Sequence, residues 1–232
     1  MATMESTRRI PVLDHGFVRL DNAMADDLSV VNAARVSFAQ QVDEMTSREE
    51  GLIRFLMRER HGTPFEHNAF RFHIKTPIFV CREWMRHRVG SFNEWSGRYS
   101  QLEPEFYIPA AEDVRTQVGK PGSYSFEQVT PEVAEATRAA QRQVYEHAYA
   151  TYLEQLEQGV AKELARNVLP VAIYTQFYWT LNARSLMNFL SLRNSETAQR
   201  EIRAYAAALE QLFALEMPVT YEAFVANDRR AP

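Results

Sequence analysis

The sequence predicts an α+β protein in which helices dominate beside a small mixed or antiparallel sheet. Capping residues precede apolar residues at helical spacing in several segments. "AFRFHIKT" at residues 69–76 alternates apolar and polar side chains, as a half-buried strand does. "VAIYTQFYWTL" at residues 171–181 is rich in β-branched and aromatic residues, which favours a buried strand. No repeat or low-complexity linker divides the chain, so a single domain over residues 1–232 is expected.

The first elements follow from turn and capping residues. "FVRL" at residues 17–20 predicts a short strand. The aspartates at residues 26–27 predict the cap of a helix over residues 28–38. Ser47 and Glu50 form a predicted capping box. They open a second helix, which is expected to stop at Gly62.

A third helix is predicted directly after the strand at 69–76. Thr76 is its expected N-cap and Pro77 its first residue, and Gly90 is expected to end it. The cationic run Arg86–Arg88 would therefore lie at a helix C-terminus, where the helix dipole stabilises positive charge by about 0.3–1 kcal/mol for each cation.

The C-terminal half is predicted to be mostly helical. A threonine–proline pair opens a long helix over residues 131–158, and a glycine follows it. A shorter helix covers residues 161–170, and Asn182 caps another over residues 183–193. The last long helix is expected to begin at Ser195 and to end at a proline, residue 218.

Composition excludes several classes of protein. Of 232 residues, 46% are hydrophobic and 24% charged, and the net charge of −4 argues against a general binder of nucleic acid or anionic membranes. The single cysteine, Cys81, excludes an intrachain disulfide and favours a reducing compartment. Residues 1–16 lack the apolar segment of a signal peptide, and no apolar run approaches the ~18 residues of a membrane span. A cytoplasmic protein is expected.

The chain is mildly acidic, yet "MRHRVGSFNEWSGRY" at residues 85–99 concentrates positive charge. Arg86 and Arg88 are two residues apart, so on a regular helix they would point in different directions and serve two anionic groups. Arg98 follows a glycine that lets backbone approach a ligand closely. Arginine suits bidentate contact with phosphate, and Ser96 adds a hydroxyl donor. A solvated helix end paired with acids is the alternative.

Two further clusters contain polar residues. In "RHGTPFEH", residues 60–67, the histidines have poor spacing for a metal pair, so a polar loop beside a ligand is favoured and no metal is expected. Downstream, Arg166 is followed by a group near one helix: Asn182, Arg184, Asn188 and Arg193. Arg193 has apolar neighbours and requires a partner, for which an ion pair with Glu196 or Glu201 is the structural possibility.

Nucleophilic catalysis finds little support. Cys81 lies on an apolar helix without a neighbouring base, so a structural role is favoured. Ser91 and Ser96 lack the G-x-S-x-G setting, and no Walker A or GxGxxG motif occurs.

The run Arg86–His87–Arg88, then seven residues, then Ser96, is similar to the RHR-x7-S signature of the flavin-dependent thymidylate synthases. "NEWSGRYS" resembles the continuation of that signature. Further blocks resemble the family in order over roughly residues 28–202: "NAARVSF", "HGTPFEH", "PIFVCREW", "ELARNVLP", "NARSLMNFLSLR" and "AQREI".

The resemblance implies reductive methylation of dUMP to dTMP, with 5,10-methylenetetrahydrofolate as carbon donor, NADPH as reductant and bound FAD as hydride relay, in a homotetramer with active sites between subunits. It implies that dUMP is held by Glu83, Arg86, Glu94, Ser96, Gly97, Arg98, Arg166 and Arg193. It implies that FAD contacts Ser37, Thr63, Arg86, His87, Arg88, Glu94, Asn182, Arg184 and Asn188. Arg193 would be catalytic, lying against the pyrimidine and favouring its N3-ionised form, and His61 and Tyr99 would lie near the folate.

Two positions depart from the resemblance: Glu83 stands where some relatives carry glutamine, and Thr197 where some carry histidine. Two alternatives remain open at this point. One is an RNA- or nucleotide-binding module that stacks bases on Trp84, Trp95 and Tyr99, which the overall acidity disfavours. The other is a flavoprotein of different activity, because arginines and asparagines alone do not identify an acceptor.

Overall fold

The computed structural model describes residues 8–120 and 123–232 and confirms the α+β class. Residues 1–7, part of the segment examined for a signal peptide, lie outside the described residues. The strands are β1 Arg9–Val12, β2 Gly16–Met24, β3 Ala69–Pro77, β4 Ser91–Glu94, β5 Arg115–Lys120, β6 Ser123–Gln128 and β7 Tyr174–Leu181. Within this part of the chain, β1-β2-β3-β7-β4 is the order of the larger sheet, and β5 pairs with β6. Antiparallel pairing joins β1 to β2, β2 to β3, β4 to β7 and β5 to β6.

The α-helices are α1 Asp27–Arg35, α2 Ser47–Arg58, α3 Ile78–Trp84, α4 Pro131–Glu157, α5 Lys162–Ala165, α6 Ala183–Arg193, α7 Arg200–Glu216 and α8 Pro218–Ala226. Short 3₁₀ turns cover Val36–Phe38, Thr63–Glu66, Ala111–Asp113 and Arg166–Val168. None of the helices in the described ranges is long and apolar enough to cross a membrane.

Several sequence predictions are confirmed. Residues 17–20 lie in β2 and the alternating segment is β3. Asn182 caps α6, since its side chain accepts a hydrogen bond from the Ser185 amide across 2.9 Å. Gly159 follows α4 with a φ of +83°, the left-handed conformation in which glycine commonly ends helices.

The predicted start and end of α2 are wrong. Thr46, not Ser47, is the N-cap: its backbone is extended and its hydroxyl accepts from the Arg48 amide and bonds to the Glu49 carboxylate. The capping pair is therefore one residue earlier than predicted, because Ser47 has already entered the helix. The helix also ends before Gly62, at Arg58.

The predicted third helix is shorter than expected. Thr76 and Pro77 still belong to β3, and α3 begins only at Ile78. It ends at Trp84 because the amides of Arg86 and His87 donate hydrogen bonds to carbonyls three residues back instead of four. This tightens the chain into a turn. The cationic run therefore lies in a turn beyond the helix rather than in its last turn.

The last predicted helix begins later than expected, and it ends at Glu216, just before Pro218, as predicted. The chain turns through residues 195–199, and α7 begins at Arg200 instead of Ser195. Pro218 occupies the first turn of α8, where its missing N–H is harmless. The proline therefore opens a helix as well as limiting the preceding one.

The described chain divides into two compact units. The first runs to Thr76 and adds Val80–Trp95 and Thr175–Pro232; the second is Pro77–Phe79 with Ser96–Tyr174. The single domain over residues 1–232 stays a prediction.

An aromatic cluster fills the core of the first unit. Trp84, Trp179 and Phe189 are fully buried, with ring centroids 4.9–5.4 Å apart. Their packing holds α3, β7 and α6 together, and it thereby fixes the position of the segment that follows α3.

Candidate active site

The first unit contains a cavity of about 780 Å³ beside α6. Three polar residues on one helical face, Asn182, Ser185 and Asn188, form one wall, since residues three apart on a helix are neighbours. The full lining is Arg60, Glu66, Arg86, His87, Arg88, Val89, Asn182, Arg184, Ser185, Asn188, Leu192, Arg193, Ala231 and Pro232. Six of the nine residues predicted to contact FAD are in that lining: Arg86, His87, Arg88, Asn182, Arg184 and Asn188.

This cavity contains more arginine side chains than are paired with acidic groups. Arg184 donates from Nη1 to Glu66 across 2.5 Å and from Nε to the Pro232 carbonyl across 3.0 Å. In the described part of the chain, the side chains of Arg60, Arg86 and Arg88 have no hydrogen-bond or ion-pair partner. Three free guanidinium groups in one cavity suit a ligand with more than one negative charge.

Arg193, at the end of α6, is held on two sides. Its Nε donates to His87 Nε2 across 2.9 Å, and its Nη1 lies 3.2 Å from a Glu83 carboxylate oxygen. Its Nη2 donates to the Glu83 carbonyl across 3.3 Å. The side chains of Arg193 and Glu83 are only 22% and 26% exposed, so the pair is partly shielded from water. The predicted ion pair with Glu196 or Glu201 is wrong, because Arg193 turns towards the end of α3 instead.

Burial and charge shift two pKa values here. Burial, helped by the Arg193 charge, lowers the pKa of His87 to about 4. His87 is therefore neutral at pH 7, and its Nε2 can accept the hydrogen bond from Arg193. Burial raises the pKa of Glu83, with Arg193 opposing the shift and Glu201 adding to it.

The hydrophobic core positions His87. Its ring meets the buried ring of Phe189 edge-on at 4.7 Å between centroids, and Phe189 packs on Trp84 at 4.9 Å. One turn beyond α3, the imidazole is thus fixed by α6, the helix that also carries Arg193.

A second cavity, of about 430 Å³, shares Arg60 and Arg184 with the first. Thr63, predicted for FAD, and His61, predicted for folate, line it. Gly62 leaves room for the Arg184 guanidinium, whose Cζ would lie 2.5 Å from an added Cβ. A side chain at residue 62 would therefore displace that arginine.

The second unit holds other predicted dUMP residues. Gly97 is buried, and a Cβ there would lie 3.1 Å from a Leu102 methyl and 3.4 Å from Arg166 Cδ. Arg98 donates from Nε to Glu163 across 3.0 Å, and its amide donates to Ser96 Oγ across 3.3 Å. Gly97 and Arg166 therefore lie close together, and the small size of glycine allows this packing.

Two tyrosines of α4 hold the segment around Leu102, which follows Arg98 in the chain. The Tyr152 hydroxyl accepts from the Leu102 amide across 3.2 Å, and the Tyr149 hydroxyl donates to the Leu102 carbonyl across 3.0 Å. Leu102 in turn packs against Gly97. Tyr99, predicted for folate, is 77% exposed, so its ring is open to contact from outside this unit's core.

Three further residues of the sequence analysis, Ser37, Glu94 and Cys81, also lie outside both cavity linings. Ser37 is exposed and donates to the Ala34 carbonyl across 3.0 Å. Glu94 ends β4 and accepts from Thr175 across 2.8 Å. Cys81 is buried, and that burial, with the nearby Glu94 charge, raises the pKa of its thiol. The structural role predicted for Cys81 agrees with this setting.

Sequence reasoning did not assign Arg60 or Glu66 to the site. The sequence places Glu66 only in a polar loop, whereas in the structure it pairs with Arg184. Arg60 is not predicted to belong to the site, because the expected end of α2 at Gly62 places it inside that helix. No local signal in the sequence could have identified it, because the position that follows such a helix end is usually glycine rather than arginine.

Together these features define an α+β protein with a cationic cavity suited to phosphorylated ligands. The family model for "thymidylate synthase complementing protein" matches residues 19–219. Flavin-dependent thymidylate synthases from Thermotoga neapolitana and Streptomyces coelicolor are each 49% identical, over 94% and 93% of both chains respectively. The chain therefore belongs to the flavin-dependent thymidylate synthase family.

A solved structure is similar in fold. The UMP/dUMP methylase PolB from Streptomyces cacaoi, bound with 5-Br UMP, is 42% identical with a TM-score of 0.87. The match covers 97% of this chain and 100% of that one. These matches favour an enzyme of this family over an RNA-binding module.

Proposed function

We propose that this chain converts dUMP to dTMP by reductive methylation, with 5,10-methylenetetrahydrofolate as carbon donor, FAD as cofactor and NADPH as reductant. The observation that carries the proposal is Arg193, a half-buried guanidinium held by Glu83 and a neutral His87 in a cavity with free arginines. The family membership identifies the reaction to which that geometry belongs.

The cavity fits FAD by charge and by volume. The free guanidinium groups of Arg60, Arg86 and Arg88 can neutralise a pyrophosphate, which carries two negative charges. A volume of about 780 Å³ lies in the range of small-molecule sites, and Val89 and Leu192 supply apolar wall. FAD, when bound, supplies the hydride relay. The proposed contacts are Ser37, Thr63, Arg86, His87, Arg88, Glu94, Asn182, Arg184 and Asn188.

Arg193 is the proposed catalytic residue. Because its guanidinium is partly desolvated, it stabilises negative charge on a uracil ring more strongly than it would in water. A ring ionised at N3 is more electron-rich at C5, the atom that receives the one-carbon unit. His87 accepts from Nε, and Glu83 accepts from Nη1 and Nη2, which leaves one further N–H on each Nη atom for the substrate.

The remaining dUMP contacts are proposed from the family resemblance. The proposed residues are Glu83, Arg86, Glu94, Ser96, Gly97, Arg98 and Arg166. Since Arg98 already pairs with Glu163, binding of an anion there must compete with an exposed ion pair, which costs little. His61 and Tyr99 are proposed to lie near the folate.

No enzyme nucleophile takes part in the proposed reaction. The attacking species of a cysteine mechanism is the thiolate. Burial and the neighbouring Glu94 carboxylate both disfavour that anion at Cys81. The nucleophile is instead the uracil ring, which Arg193 polarises.

We further propose a homotetramer with active sites between subunits, located in the cytoplasm. The single cysteine supports a reducing compartment. Sedimentation velocity would measure the oligomer directly.

The proposed function is tested by assaying dTMP formation from dUMP with each component omitted in turn. Product is expected only when FAD, NADPH and methylenetetrahydrofolate are all present, and product without flavin would contradict the proposal. UMP is the second substrate to test, since the similar PolB structure is described as a UMP/dUMP methylase. Preferential methylation of UMP would replace dUMP as the proposed substrate.

A further inference from the structure

Arg60 has a backbone conformation that few arginines adopt. Its φ is +61°, in the left-handed region. The Arg60 amide donates to the Met57 carbonyl and the His61 amide to the Leu56 carbonyl, at 3.2 and 2.9 Å. These two bonds form the Schellman ending of α2, whose left-handed position is usually glycine. The hydrogen bonds explain the backbone but not the arginine side chain.

The choice of arginine there has a cost. A residue with a Cβ is less stable than glycine in this conformation, and arginine lacks the short polar side chain by which asparagine tolerates it. No described residue pairs with the Arg60 guanidinium, so no ion pair among the described residues offsets that cost. An external partner for the charge would.

The position of the side chain indicates what kind of partner. Arg60 lines both the 780 Å³ and the 430 Å³ cavities, and the only other residue common to the two linings is Arg184. Gly62 leaves the space in which Arg184 lies. The turn after α2 carries Arg60, and its Gly62 leaves room for Arg184 of α6. Both guanidinium groups therefore lie on the wall that the two cavities share.

We infer that Arg60 binds the pyrophosphate of FAD, with the cofactor extending along that shared wall. The residues around Arg60 are mainly those proposed for FAD, namely Thr63, Asn182 and Arg184, rather than those proposed for dUMP alone. A pyrophosphate has oxygens enough for two guanidinium groups at once. The inference rests on the proposed function, and it adds a cofactor contact that the family resemblance did not supply.

The test is a set of flavin titrations of the full chain, freed of bound flavin, followed by fluorescence. Arg60→Gly is expected to weaken FAD binding about tenfold or more, the loss of a charge-assisted bond. Riboflavin, which has no phosphate, is expected to bind the variant and the wild type equally. Arg60→Lys, which keeps the charge, is expected to lie between them.

Stability separates binding from folding. Because glycine suits the left-handed position, the melting temperature of Arg60→Gly without flavin is expected to equal or exceed that of the wild type. Arg58→Gln is the matched control, since Arg58 pairs with Glu59 across 2.9 Å and lines neither cavity. It is expected to bind FAD as the wild type does.

Unchanged FAD affinity in Arg60→Gly, or an equal loss for FAD and riboflavin, would overturn the inference. So would a loss confined to dUMP binding, which would assign Arg60 to the substrate. Failure of the wild-type chain to bind FAD would instead overturn the proposed function along with it, so the two failures are distinguishable.

Discussion

Arg193 donates from its Nε to the Nε2 atom of His87 across 2.9 Å. A histidine can accept at that atom only when it is deprotonated there, so the contact selects neutral His87 with its proton on Nδ1. Glu83 faces the other side of the same guanidinium. The central cation of the site is thus oriented by one neutral and one anionic neighbour.

Glu83 is expected to tune substrate binding through Arg193. In Glu83→Gln the amide oxygen still accepts from Arg193, while the lost negative charge makes the site more favourable for an anionic nucleotide. The KM for dUMP should fall about threefold to tenfold with kcat within about twofold. Glu83→Ala removes the acceptor, and its kcat should fall about tenfold. Steady-state kinetics check both, and equal behaviour of the two variants would contradict a positioning role.

Arg193→Ala is expected to retain FAD and to lose dTMP formation, because nothing then stabilises charge on the uracil. A loss of about 100-fold or more in kcat/KM is the magnitude typical of a removed charge-stabilising donor. Flavin absorbance of the purified variant measures cofactor retention. Arg203→Ala on α7 is the control, since its Nη1 reaches only the Glu196 carbonyl. Turnover near the wild-type level in Arg193→Ala would remove it from the chemistry.

His87 is expected to titrate near pH 4, not near its ordinary value of 6.5. The folded pKa is lowered, so its contribution to stability is full above about pH 6.5 and is lost as the pH falls towards 4. Nuclear magnetic resonance of the imidazole measures the pKa directly. The unfolding free energy of wild type relative to His87→Gln should fall over the same range. Titration of His87 near pH 6.5 would show that burial and the Arg193 charge do not hold it neutral.

Cys81→Ala is expected to remain active within about twofold, because the reaction uses no thiolate. Removing the buried sulfur should lower the unfolding free energy by about 1 kcal/mol. Cys81→Ser, which places a hydroxyl in the same buried position, should cost more stability and still turn over. An inactive, well-folded Cys81→Ala would instead support a cysteine mechanism.

Gly97→Ala is expected to destabilise the protein by about 1–3 kcal/mol, since its Cβ would crowd Leu102 and Arg166. Denaturant unfolding measures this. Gly51→Ala is the matched control: its Cβ meets nothing within 4 Å, and alanine in α2 should stabilise by about 0.5–1 kcal/mol. A Gly97→Ala variant as stable as wild type would show that the packing there adapts freely.

Local patterns in the sequence predicted much of the fold. Asn182 caps α6 as expected because a cap involves atoms only three residues apart. β3 follows from strict alternation, and α4 from its threonine–proline start. The errors were also local: Thr46 and Ser47 both offer a hydroxyl, and only the backbone conformation decides which one is the cap. The predicted helix end at Pro218 is confirmed, and the same proline also opens α8.

For the site, too, some features follow from the sequence and others depend on the tertiary structure. The sequence by itself determined the signature, its arginines and the family, because those depend on residue order alone. Only the tertiary structure decided that Arg193 meets Glu83 and His87 rather than Glu196, and that Arg60 belongs to the cavity wall. Contacts of this kind join residues far apart in the chain, and packing of α3, β7 and α6 around Trp84 determines them.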